Sequence, residues 1–154
     1  MEGCIRTSQV NYIYVYMYAR TGNRPCVFRK EIMRVIVFGT KDWTDYNDLM
    51  RQVTLLIEDN KHFYPDDKEY VFVHKGMQGA ENMITEYIGK TERFLRQKGY
   101  KIKEELVRDK SSFSDVTMIE SDVSIALVFG DSPRNRQCMK VMDAMEIPYR
   151  YFVK

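Results

Sequence analysis

The 154-residue chain has few cysteines, only two histidines and no long apolar run. Cys4, Cys26 and Cys138 lie far apart, are odd in number and form no CxxC pair or Cys/His cluster. This spacing argues against both a disulfide framework and a structural zinc site, and it fits a reducing cytoplasm. His62 and His74 have no second histidine at a useful ligand spacing. No cofactor is therefore required, and Mg²⁺ enters only as a carboxylate-bound companion of a phosphorylated ligand. Charge of either sign is not in excess: 24 Lys and Arg face 22 Asp and Glu, with the basic residues scattered. Nothing in that balance asks for a nucleic-acid partner.

The most apolar stretch near the N-terminus, "YIYVYMYA" (12–19), is far shorter than the roughly 20 residues a membrane-spanning helix needs, and no small-residue cleavage site follows a signal core. It reads as a tyrosine-rich strand. The segment after it lacks periodicity, and a clean pattern restarts at Met33. Residues 1–32 are accordingly read as an extension. "RKEIM" (29–33) is compatible with a purine-rich ribosome-binding sequence ahead of a start codon, which would make Met33 the natural start and the extension an over-called leader. The alternative is a genuine accessory strand or oligomerisation arm.

What is present from Met33 onward is regular alternation. "RVIVF" (34–38) is a β-branched and aromatic run without polar alternation, the mark of a strand covered on both faces, and it ends at Gly39. Leu49, Val53, Leu56 and Ile57 then recur at helical spacing to about Asn60. "YVFV" (70–73) is a second strand. "VHKGMQGAENMITEYI" (73–88) turns through two glycines into a helix on which Ala80, Met83, Ile84, Tyr87 and Ile88 share a face. That helix should run to about Lys98. "GYKIKEELV" (99–107) alternates and predicts a less buried strand near an edge. "DKSSFSD" (109–115) reads as a polar loop, and "DVTMIESD" (115–122) as a short helical turn. "VSIALVF" (123–129) is the most apolar strand and ends at Gly130. Ser132 is an N-cap candidate with Pro133 at the first helical position, and Cys138, Val141, Met142 and Met145 mark the helix that follows. Met83, Met139, Met142 and Met145 fall on core spacing and read as packing. "IPYRYFV" (147–153) closes with a strand.

Strands separated by helices of this length predict an α/β fold: a Rossmann-like, doubly wound, mainly parallel sheet of about five strands with helices on both faces, occupying residues 33–154. In such a sheet ligands bind outside the carboxyl ends of the strands. Three of those ends carry distinctive loops: Gly39 to Tyr46, His74 to Gly79, and Gly130 to Arg134. Gly76 and Gly79 permit close backbone approach, and the helix beginning near Ala80 offers unpaired N–H groups to an anion. Lys41, His74, Lys75 and Arg134 supply charge-assisted donors; Thr40, Gln78 and Ser132 suit the hydroxyls of a sugar. Trp43 either stacks on a base or pins its loop to the domain.

The segments "RVIVFGTKDWTD" (34–45), "VHKGMQGAENMITEYI" (73–88) and "SIALVFGDSPRNRQCMKVMDAMEIPY" (124–149) together resemble the SLOG superfamily, especially the YspA branch related to circularly permuted YpsA proteins. The residues that carry the resemblance are Gly39, Lys41, Asp42 and Trp43, then His74, Gly76, Gly79 and Ala80. Lys75 stands where the family often has glycine, and Glu81 where it often has aspartate. The strand ending at Phe129 leads into "GDSPRNRQ" rather than the Pro-Gly-Gly-x-Gly-Thr loop of the superfamily's phosphoribohydrolases.

The resemblance implies a Rossmann-like domain that binds a nucleotide or nucleotide-derived small molecule, as sensor or sequestering module; a stand-alone domain of this size also fits a phage protein that sequesters a host signal. The alternative is a hydrolase or transferase acting on the N-glycosidic bond, with Glu81 or Asp42 as the working carboxylate and Asp115 as a third candidate. Each acid also has a plain structural role available, at a helix cap or in a first helical turn. An exposed last strand or the aromatic N-terminal segment predicts a homodimer by edge pairing.

Overall fold

The computed structural model describes residues 6–9 and 12–17 as backbone, and residues 32–153 in full. Its elements are β1 (Arg6–Gln9), β2 (Tyr12–Met17), β3 (Ile32–Gly39), α1 (Tyr46–Phe63), β4 (Glu69–His74), α2 (Ala80–Gln97), β5 (Lys101–Leu106), α3 (Ser112–Glu120), β6 (Ile125–Phe129), α4 (Pro133–Met145) and β7 (Tyr149–Val153). The sheet order is β1-β2-β7-β6-β3-β4-β5. From β7 to β5 all pairing is parallel, so the α/β, Rossmann-like class is as expected. β2 adds to β7 antiparallel, and β1 to β2. The last strand is therefore not an edge, which corrects the expectation that β7 lies exposed.

Alternation along the strands distributes the core into two layers. Val35 and Val37 of β3, Tyr70 and Phe72 of β4, and Leu127 and Phe129 of β6 pack with Leu49, Val53 and Leu56 of α1 and Ile84 and Tyr87 of α2. Their neighbours Ile36, Phe38, Val71, Val73, Ala126 and Val128 face Met118 and Ile119 of α3 and Met139 and Met142 of α4. Because every second residue reverses face, only continuous apolar runs can serve both layers. Each fully buried Leu, Ile or Phe contributes about 1.5–3 kcal/mol.

Two local readings need correction. α3 begins at Ser112, inside the stretch expected to be loop. Its sequence carries almost no amphipathic signal, and it is held instead by Met118 and Ile119 on the sheet and by packing against α4. Met145, expected in the core, is exposed at the end of α4. The other boundaries follow the pattern: Ser132 Oγ accepts from Asn135 N–H at 3.0 Å, with Pro133 opening the helix. Among the described residues no helix is long and apolar enough to cross a membrane.

α1 and α2 cover one face and α3 and α4 the other, so the winding reverses between β3 and β6. Loops leaving the carboxyl ends of these neighbouring strands diverge to opposite faces. That is where this architecture opens a crevice.

Candidate functional site at the carboxyl rim of the sheet

Thr40, the first residue beyond β3, is the point on which the rim loops close. Its N–H donates to Phe129 O at 2.9 Å. A Cβ on Gly79 would collide with the carbonyl oxygen of Thr40, and one on Gly130 with its side chain. Gly79 also has φ +97°, a conformation side chains rarely adopt. Gly39 makes room in the same way for Ala80 Cβ, which lets the first turn of α2 rest on the end of β3. Gly79, which the sequence marks for close backbone approach to a ligand, and the strand-end glycines Gly39 and Gly130 are thus occupied by the protein's own chain. The three loops form one interlocked unit.

Behind them lies a charge quartet in which Lys75, Glu81 and Asp115 are buried and Arg134 is half-buried. Arg134, on the first turn of α4, forms a bidentate pair with Asp115 of α3, with Nε to Oδ2 and Nη2 to Oδ1 both at 3.0 Å. Its Nη1 lies 2.9 Å from Glu81 Oε2. Lys75 Nζ reaches Asp115 Oδ1 at 2.7 Å and donates to Ser111 O at 2.6 Å. Glu81 Oε1 accepts from the backbone N–H of Lys75 at 2.9 Å and Met77 at 3.4 Å, closing the loop ahead of α2. The guanidinium also lies over the Phe38 ring. Burial alone would push the Asp115 carboxyl up, but the hydrogen bonds and charges of Arg134 and Lys75 outweigh it and hold the group below its ordinary value. The same pairing outweighs burial at Arg134 and raises its pKa. Cys138 abuts this cluster, and burial with the nearby Asp115 charge pushes its thiol up to about 12.

His74 is fully buried at the end of β4. Its Nδ1 accepts from Gly76 N–H at 2.9 Å, and its Nε2 meets Glu104 Oε2 at 2.6 Å. The Thr85 hydroxyl donates to the same carboxylate oxygen. Since Nδ1 is an acceptor, the proton sits on Nε2 and is directed at Glu104.

The predicted site residues consequently fall into groups. Lys75, Glu81, Arg134 and Asp115 are brought together but saturate one another, and His74 is enclosed. Ser132 is spent as a cap. Trp43 is buried, its Nε1 donates to Asp45 O at 3.1 Å, and its ring meets Phe129 edge-on at 5.3 Å, which is the loop-pinning role. Lys41, Asp42 and Gln78 are exposed at the rim, and Thr40 and Gly76 are half-buried. An open depression of about 300 Å³ lies beside the start of α2, lined by Lys41, Trp43, Thr44, Gln78, Gly79, Asn82, Met83 and Glu86. Gly79 gives α2 no side-chain cap. Beside this depression an anion would meet the Lys41 ammonium at the positive end of the α2 dipole, together with the Gln78 and Asn82 side chains; the Asn82 and Met83 N–H groups are already donated to Met77 O at 3.1 Å and Gly79 O at 3.2 Å.

Sequence reasoning passed over Glu104, Thr85, Ser111 and Asn135. Asn135 Nδ2 donates to Gly130 O at 3.0 Å and Phe129 O at 3.3 Å, fixing the loop after β6. Among the described residues no group of three or more His, Cys, Asp or Glu is placed to hold a metal ion. No family model, curated protein or solved structure matches the chain.

Proposed function

We propose that the protein binds a nucleotide or nucleotide-derived small molecule at the carboxyl rim, in the depression beside α2, and that it acts as a sensor or sequestering module. The observation that carries this reading is the placement of Lys41 and Gln78, both exposed, on the wall of a depression at an uncapped helix start. The phosphate lies against the Lys41 ammonium at the positive end of the α2 dipole, while Gln78, Thr44 and Asn82 bond the sugar or base. Glu81 favours binding over N-glycosidic cleavage: it is fully buried, one oxygen is held by Arg134, and the other by two backbone N–H groups. A carboxylate so committed stabilises the loop rather than a reacting sugar. The enzymatic alternative then falls on Asp42, which faces solvent at the rim.

The test is a thermal-shift screen of nucleotides, cyclic dinucleotides, ADP-ribose derivatives and ribose phosphates, with each mixture analysed afterwards by mass spectrometry. A ligand at 100 times its Kd adds about 2.7 kcal/mol of stability. Binding predicts a raised Tm with the ligand recovered intact, lost in Lys41→Ala and weakened in Gln78→Ala. Release of base from sugar would move the protein to the enzyme class, and a flat panel would remove the nucleotide reading.

A further inference from the structure

Among the described residues β5 pairs on one side only, with β4. The N–H groups of Lys101 and Val107 donate inward, to Lys68 O and His74 O, each at 2.8 Å. By the alternation of a strand, the N–H and C=O groups of Ile102, Glu104 and Leu106 point outward, away from the sheet. Exposed edges of this kind are commonly blunted by lysines that repel a second strand. The charges on β5 do something different. Lys101, Lys103 and Glu105 are exposed on the face turned from α2, while on the other face Ile102 is packed toward α2 and Leu106, at the far end of the strand, is 54% exposed.

We propose that β5 is a pairing edge for a second copy of this chain, in an antiparallel register centred on Glu104. A two-fold axis through a continuous sheet keeps each residue on its own face, so the register must be centred on a residue. Centring on Lys103 sets Lys103 against Lys103 with nothing beside it to offset the like charge but its own Glu69, although it also sets Lys101 opposite Glu105; centring on Glu105 sets Glu105 against Glu105. Centring on Glu104 sets Lys103 of each copy opposite Glu105 of the other, and Ile102 opposite Leu106. The outward amides of 102, 104 and 106 then exchange hydrogen bonds, and the Lys103–Glu105 pairs fall at the non-hydrogen-bonded positions, where side chains approach most closely. The like pair at the axis, Glu104 with Glu104, is offset in each copy by His74 at 2.6 Å and by the Thr85 hydroxyl. The present partners of the two pairing side chains, Glu69 for Lys103 and Arg34 for Glu105, lie on β4 and β3 of the same sheet and leave the outer edge clear.

The experiment is the solution mass of the full chain by light scattering or sedimentation, with Tm as a check on folding. Wild type is expected at twice the 18.4 kDa chain mass. Lys103→Glu should give a single-chain mass with Tm nearly unchanged at low concentration, and Lys103→Glu with Glu105→Lys should restore the double mass. A single-chain wild type overturns the proposal. So does a dimer indifferent to Lys103→Glu, which would place association elsewhere, such as the β1 edge. Failure of the charge swap to restore pairing also overturns it.

Discussion

Arg134 Nη1 lies 2.9 Å from Glu81 Oε2, a contact that joins the start of α4 to the start of α2 across 53 residues of chain. With Asp115 and Lys75 it neutralises two acids against two bases inside the rim. Such a cluster adds little net stability over an apolar packing of the same volume, but it is costly to break from one side.

Arg134→Met strands Glu81 without its cation, leaves Asp115 with Lys75 alone, and should destabilise the fold by about 3–5 kcal/mol in urea denaturation. Glu81→Gln keeps an acceptor for the Lys75 and Met77 amides and should cost less. Arg134→Met made on the Glu81→Gln background should then cost less than in wild type, by a coupling of about 0.5–3 kcal/mol. Strict additivity would show that the two residues do not act as a pair.

Acid should weaken the cluster through Asp115. Its folded pKa lies below the ordinary 3.8, so its contribution is complete above the unfolded value and is lost as pH falls through the folded one. The stability advantage of wild type over Asp115→Asn, measured by urea titration, should be full at about pH 7 and shrink below about pH 4. An advantage constant down to about pH 2 would contradict the assignment.

Gly39→Ala should cost about 1–3 kcal/mol by overpacking, since the added methyl meets Ala80 Cβ. Ala80→Gly in the same chain removes the obstacle. The double variant should therefore melt above Gly39→Ala alone, even though glycine in a helix costs about 1 kcal/mol relative to alanine.

Cys138 should resist thiol reagents in the folded protein. In a Cys4→Ser, Cys26→Ser background, labelling near pH 8 should be slow in buffer and rapid in denaturant, because the thiol is 3% exposed and its pKa is pushed up to about 12. Fast labelling under native conditions would require the α3–α4 layer to open.

The parallel core was legible because buried strands and amphipathic helices write different periods, as in "RVIVF" and the Leu49, Val53, Leu56, Ile57 series. The cap at Ser132 was legible because its chemistry is local. α3 was legible only in part, as the helical turn read over 115–122; its start at Ser112 was not, since it is held by α4 and the sheet rather than by its own pattern. Lys75, Glu81, Asp115 and Arg134 were each marked for the rim. That they bind one another is a property of tertiary distance, and a charge's burial is set by partners remote in sequence. Glu104 was passed over for the same reason: only the folded sheet sets it beside His74.

The seating of Thr40 against Gly79 and Gly130 also governs where the chain can be rebuilt. An insertion at residues 40–43 moves the residue on which two other loops close, so loop grafting there demands redesign of all three together. The turn at 64–68 joins α1 to β4 at the amino ends of the parallel strands, remote from that contact. A fluorescent or affinity module spliced into this turn would report on the protein while leaving the rim as it is.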